Sequence, residues 1–146
     1  MIISTKCQYA LRAVFEIARS NHGGVMTIAE IAEAQNVPQR YLEGILNELR
    51  KGGILEAQRG RSGGYKLAGD VKNITVGAVV RLIDGPIRAV EESGTGNNEA
   101  LERSVFFPTW QKVQLAIDEA LDSTAFSQLL RLDDDERLKR SPSYVI

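Results

Sequence analysis

Apolar residues recur along this chain in short blocks, and the step between them changes from block to block. Over Met1–Asn21, Cys7, Leu11, Val14, Phe15 and Ala18 recur every three or four residues, which predicts an amphipathic helix with Ser4 or Thr5 as its N-cap. Thr27-x-x-Glu30 is a capping box, and Ile28, Ile31 and Ala32 give the short helix behind it one apolar stripe. Gln35-Asn36 ends that helix, since Asn tolerates the left-handed conformation that a tight corner needs. Pro38 suits a first helical turn, and Tyr41, Leu42, Ile45, Leu46 and Leu49 then mark a second amphipathic helix stopped by Gly52-Gly53.

Beyond Gly53 the elements shorten. Ile54–Arg59 and Tyr65–Ala68 are strand candidates around the tip Gly60-Arg61-Ser62-Gly63-Gly64. Thr75 can cap a short helix with Val76, Val79, Val80 and Ile83 on its apolar side, ending at Asp84-Gly85-Pro86. Residues 87–101 are expected to be a mobile loop, because Glu91–Asn98 has no apolar period. From about Glu102 to Asp122 a long helix carries Leu101, Val105, Phe106, Trp110, Val113, Ile117, Ala120 and Leu121 at helical steps, with Pro108 opening or kinking it. Thr124 is read as the cap of a last short helix, Ala125–Leu132, and 133–146 as a loose tail. The expected fold is mainly α with a small β wing: a winged helix-turn-helix over 1–86, then a dimerisation helix and a short final helix over 102–132.

The polar face of the second helix of the pair carries Gln39, Arg40, Glu43, Gly44, Asn47 and Lys51. Such a face is ordinarily just solvated. Here it stands in unbroken succession with a turn and a wing bearing Arg59 and Arg61, an arrangement suited to reading double-stranded DNA. Arg and Gln match guanine and adenine edges, Glu43 can accept from cytosine or orient Arg40, and arginine on a thin projection suits a narrow minor groove. Gly44 in a helix interior costs about 1 kcal/mol relative to Ala, so it reflects either close approach to another surface or drift. Lys6 either meets a phosphate or is only solvated. The stripe at Trp110, Val113, Ile117, Ala120 and Leu121 is dimer material or an intrachain core, and paired half-sites favour the dimer.

Composition narrows the rest. With 146 residues and 43% hydrophobic content, the chain can build one modest domain with a dimerisation appendage. No run approaches a membrane span and the N-terminus lacks a signal peptide's apolar core, so a soluble cytoplasmic protein is expected. The net charge of −1 says little about nucleic acid: residues 1–70 hold nine Lys/Arg against seven Asp/Glu, and 71–146 nine against twelve. One Cys and one His exclude a disulfide framework and leave no catalytic constellation. His22, before Gly23-Gly24, is read as a surface loop residue. Cys7, beside Lys6, is either a redox-sensing thiol or a small buried core residue.

Several motifs together resemble the Rrf-two type of bacterial winged-helix regulators, the family that includes IscR, NsrR and CymR. They are Ser4-Thr5-Lys6…Tyr9-Ala10, Tyr41-Leu42-Glu43, Leu49-Arg50-Lys51-x-Gly53-Ile54-Leu55, Arg59-Gly60-x-x-Gly63-Gly64-Tyr65-x-Leu67, Ile74-Thr75-Val76-Gly77 and Asp84-Gly85-Pro86-Ile87. The likeness covers about residues 1–132. It implies a homodimeric transcriptional regulator, most often a repressor, whose late helix crosses its mate. It also implies DNA contacts at Pro38, Gln39, Arg40, Tyr41, Glu43 and Arg59, to which wing geometry adds Arg61 and Ser62. Pro38 stands where other members often have a Ser cap. The start of the first helix, at Lys6, lies near the DNA backbone in that family. Cluster-bearing members have three cysteines and a further ligand before the late helix, where this chain has Glu92, Asn98, Ser104 and Phe107. Iron–sulfur clusters require soft sulfur ligands, so no cofactor is expected, as in the CymR-like branch. Switching then falls to a small-molecule or protein effector. The alternative from another class is a winged helix that docks on protein and leaves DNA alone.

Overall fold

The computed structural model describes residues 2–20, 24–91 and 99–140. His22, most of the Glu91–Asn98 stretch and the last six residues of the expected tail lie outside them.

Helix α1 (Thr5–Arg19) is opened by Ser4, whose hydroxyl accepts from the Cys7 amide at 3.0 Å. Its buried side is Cys7, Ala10, Ala13, Val14, Glu16 and Ile17, while Leu11, Phe15 and Ala18 are only half-buried. The face is thus rotated from the one expected, because Ala10 and Ala13, which lie off that stripe, occupy its centre. Glu16 is buried among them with its charge matched: Arg19 donates to both carboxylate oxygens at 2.7 Å and Gln35 Nε2 adds a bond at 2.6 Å.

Helices α2 (Ile28–Gln35) and α3 (Gln39–Lys51) form the helix-turn-helix. The capping box at Thr27 and Glu30 is present in both directions. Asn36 turns the corner in the left-handed region at φ 51°, and its neighbour Val37 is buried beneath it. Leu42, Ile45, Leu46 and Leu49 of α3 pack on α1 and α2, and Gly52 ends the helix. Strands β1 (Leu55–Gln58) and β2 (Gly64–Leu67) pair antiparallel with Leu55 opposite Leu67 and Gln58 opposite Gly64. Met26 adds a bridge to Tyr65 through two backbone bonds of 2.9 and 2.7 Å, which fastens the wing to the segment leading into α2. Gly64 makes that approach feasible: its φ is 153°, and a Cβ there would strike the Met26 backbone.

Helix α4 (Val76–Asp84) is capped by Thr75, and its Asp84 receives both the backbone amide of Ser4 at 2.9 Å and the Ser4 hydroxyl at 2.5 Å. A four-residue helix α5 (Glu99–Glu102) precedes α6 (Phe107–Asp122). The expected helix from Glu102 is therefore interrupted, and Pro108 sits in the first turn of α6, where its missing amide costs nothing. Thr124, expected to cap the final helix, instead donates its hydroxyl to the Ala120 carbonyl at the end of α6. The last helix, α7 (Phe126–Arg140), overturns the expectation of a loose tail for residues 133–140. It carries acids before bases, with Asp133 and Arg137 paired at 2.9 Å, an order that suits helix i,i+4 pairing and the helix dipole without any apolar stripe. Its start is fixed by buried Phe126 and by backbone bonds between Ile74–Val76 and Thr124–Phe126.

No close approach within the chain accounts for Gly44, since a Cβ at that position would meet nothing within 4 Å. Gly64 is the opposite case. Gly64→Ala should lose about 1–3 kcal/mol of stability from backbone strain alone, read as a lower urea midpoint.

Candidate nucleic-acid interface

The exposed side of α3 opens at Pro38, which supplies no side-chain cap, so the hydroxyl contact of a Ser cap is absent. Gln39, Arg40, Tyr41, Glu43 and Gly44 are all exposed. Tyr41, expected on the packed stripe, is 48% exposed and lies at the edge of the helix instead. It stacks on Tyr9 of α1 with ring centroids 6.3 Å apart. The Arg40 guanidinium lies 4.8 Å over the Tyr41 ring and donates to its hydroxyl at 3.1 Å. Arg40 is thus held by Tyr41, not oriented by Glu43, which has no polar partner among the described residues.

The wing presents Arg59, Arg61 and Ser62 at an exposed tip. Gly60 adopts φ 108°, and its carbonyl accepts from the Gly63 amide at 3.0 Å, closing the turn. Between wing and helix runs an open groove of about 740 Å³ lined by Arg59, Glu56, Asn47 and Arg50. Arg50 Nη2 donates to Asn47 Oδ1 at 2.7 Å, so the two act as one polar unit. Arg50 escapes a reading based on the first turns of α3; its place three residues after Asn47 was the available signal. The expected site residues therefore fall into three groups. Gln39 to Glu43 stand at the start of α3, Arg59, Arg61 and Ser62 at the wing tip, and Lys6 apart at the start of α1, where it meets Glu48.

Helix α6 buries none of its residues within the chain. It meets α4 through Arg81, which pairs with Asp122 and with Asp118, and it meets the segment after α4 through Gln114, which binds the Ile87 carbonyl and the Ala89 amide, each at 2.8 Å. Beside that edge runs the expected stripe, with Trp110 and Val113 nearly two-fifths exposed, Ala120 exposed, and Ile117 and Leu121 half-buried. Phe106 extends it, packing on Trp110 with centroids 6.3 Å apart.

Of the four positions where cluster-bearing relatives hold ligands, Glu92 and Asn98 lie outside the described residues. Ser104 uses its hydroxyl to accept from the Phe106 amide, and Phe107 has no donor atom. The one thiol, Cys7, has no solvent exposure and sits in α1, away from that segment. This donor set does not fit an iron–sulfur cluster. Burial, followed by the charge and hydrogen bond of Asp84, pushes the Cys7 thiol up to about 11.

Two helices joined by a left-handed corner, with an adjoining glycine-tipped ribbon, define a winged helix-turn-helix of the kind found in transcriptional regulators. The chain belongs to the Rrf2 family: the family model described as an iron-dependent transcriptional regulator matches residues 3–132. The chain is similar to the HTH-type transcriptional regulator CymR of Bacillus subtilis, with 34% identity over 94% of this chain and 95% of the relative. The solved structure of CymR, the global cysteine regulator of B. subtilis, superposes with a TM-score of 0.75 at 31% identity, covering 90% of this chain and 98% of that one. IscR of T. potens superposes at 0.74 with 30% identity, covering 99% and 95%. The protein is therefore a DNA-binding HTH-type transcriptional regulator, a class that is not enzymatic. Among the described residues, no helix is long and apolar enough to cross a membrane.

The native Cys7 thiol should react with a thiol reagent far more slowly than the unfolded chain does. Because its folded pKa lies above the unfolded value, its share of stability is full below about pH 9. It is lost as pH rises toward about 11, and alkaline unfolding curves of the native protein and Cys7→Ala would show the difference.

Proposed function

We propose that this chain acts as a homodimeric, sequence-specific DNA-binding repressor that carries no iron–sulfur cluster and answers to a small-molecule or protein effector. The observation that carries the reading is the polar surface from exposed Gln39, Arg40 and Glu43 through half-buried Asn47 and exposed Arg50 to Arg59 at the wing. Gln39 and Arg40 are assigned to base edges in the major groove and Glu43 to a cytosine amino group. Tyr41, beside Pro38, is placed against the backbone, and Arg59 in the minor groove with Arg61 and Ser62 flanking it. Lys6 is assigned to a phosphate. The homodimer is supported by the apolar stripe from Phe106 to Leu121 on a helix with no fully buried residue in its own chain.

A single cysteine that is buried in α1 supports the absence of a cluster and weighs against a thiol switch. CymR, the relative named a global cysteine regulator, makes sulfur metabolism a first place to look for the effector.

Three measurements test this reading. Arg59→Ala with Arg61→Ala should weaken binding to a duplex selected from a randomised pool, flattening the salt dependence by about 0.9 for each phosphate left without its arginine. A protein-docking module should lose only partner binding. Val113→Asp should yield a folded monomer by light scattering, because the side chain is solvated in the single chain but would bury a carboxylate in the pair. DNA affinity should fall with it, and a variant that stays dimeric would put the contact elsewhere. The purified protein should be colourless, with iron and sulfide far below one per chain by elemental analysis.

A further inference from the structure

The start of α1 and the edge of α3 enclose a cleft of about 480 Å³ whose walls include Lys6, Tyr9, Tyr41 and Glu48. At one end Lys6 Nζ meets Glu48 Oε1 at 2.5 Å, and the two side chains are 48% and 43% exposed. Glu48 stands four residues after Gly44 and seven after Tyr41, so it shares their edge of the helix. The open space above Gly44, where a Cβ would find nothing within 4 Å, leaves that edge accessible. The ammonium assigned to a DNA phosphate is thus already neutralised, and by a residue of the reading helix itself.

We propose that Glu48 is a specificity-determining residue that acts through Lys6, withholding its charge from DNA of arbitrary sequence and yielding it only to a backbone phosphate seated in this cleft. The inference rests on the DNA-binding reading above. An exposed ion pair holds its members weakly, so a phosphate fixed at contact distance can displace the Glu48 carboxylate. A loosely docked duplex offers no such fixed phosphate, so Lys6 stays with Glu48 there. Binding to arbitrary sequence is almost wholly phosphate neutralisation, so losing one ammonium per reading head weakens it directly. The seated complex recovers that contact. Glu48 therefore widens the gap between the two states without touching a base.

The test uses the full chain and two duplexes of about 30 base pairs, one of arbitrary sequence and one selected by the native protein from a randomised pool. Fluorescence anisotropy across a series of KCl concentrations reads affinity and salt slope. Glu48→Gln should bind the arbitrary duplex about 3- to 10-fold tighter, with a slope steeper by about 0.9 per reading head. Its affinity for the selected duplex should change by less than about 2-fold, so discrimination falls. Adding Lys6→Gln should abolish the gain, which a purely structural effect of Glu48 would not predict. The proposal is overturned by an unchanged affinity and slope in Glu48→Gln, by equal gains on both duplexes, or by a gain that survives in the double variant. If the native protein selects no duplex at all, the DNA-binding reading fails first and takes this inference with it.

Discussion

Burial of one face of α1 is the contact on which the rest of the molecule depends. Helices α2, α3, α4 and α7 and strand β2 all pack against it. Ala10 and Ala13 at its centre are fully buried, and their small side chains let several neighbours approach a single helix closely. Leu42, Leu46 and Leu49 from α3, Ile31 from α2 and Val79 from α4 close over it. Full burial of each large aliphatic side chain is worth about 1.5–3 kcal/mol, against about 0–1 for an exposed ion pair. The apolar contacts therefore fix the fold, and the polar ones refine its register. Ser4 pins the start of α1 to the end of α4 through Asp84, while Glu16, Arg19 and Gln35 tie its last turns to the end of α2.

What could be read from the chain beforehand was what short-range chemistry decides. The capping box at Thr27 and Glu30, the left-handed corner at Asn36 and the glycines around Arg61 each act within a few residues, and each element stands where its signal lies. Two kinds of information were out of reach. The orientation of α1 depends on Ala10 and Ala13, which lie off the stripe of larger residues, and on Glu16, a charge that is buried because Arg19 and Gln35 surround it. Residues 133–140 lacked an apolar period because their helix is supported by charge order instead, down to an Asp133 contact with Arg19 at 3.8 Å.

The same division runs through the candidate interface. Most of the exposed side chains followed from the helical phase and the glycine-rich tip, whereas Tyr41, counted with the packed stripe, is exposed. Their partners did not, because the pairings join distant parts of the chain. Tyr9 meets Tyr41, and Lys6 meets Glu48, only after α1 and α3 have packed. The cations on this face are engaged in different ways: Lys6 is paired with a carboxylate, while Arg40 and Arg50 bind a neutral tyrosine and a neutral amide and keep their full charge.

The late helix follows a different rule from α1. It has no fully buried residue in its own chain and is joined to α4 by Arg81, Asp118 and Asp122, with Gln114 reaching the 87–89 segment. These contacts are partly solvated, and each is worth far less than a buried leucine. The reading head is thus held by a core and the arm by a polar joint. In the homodimer proposed above, pairing of two arms would supply the apolar burial that α6 lacks. The separation of the two reading heads would then be set by the arm and its joint, while the α1–α3 packing that shapes each head stays undisturbed. Changing the shape of the head itself would require breaking the core around Ala10 and Ala13.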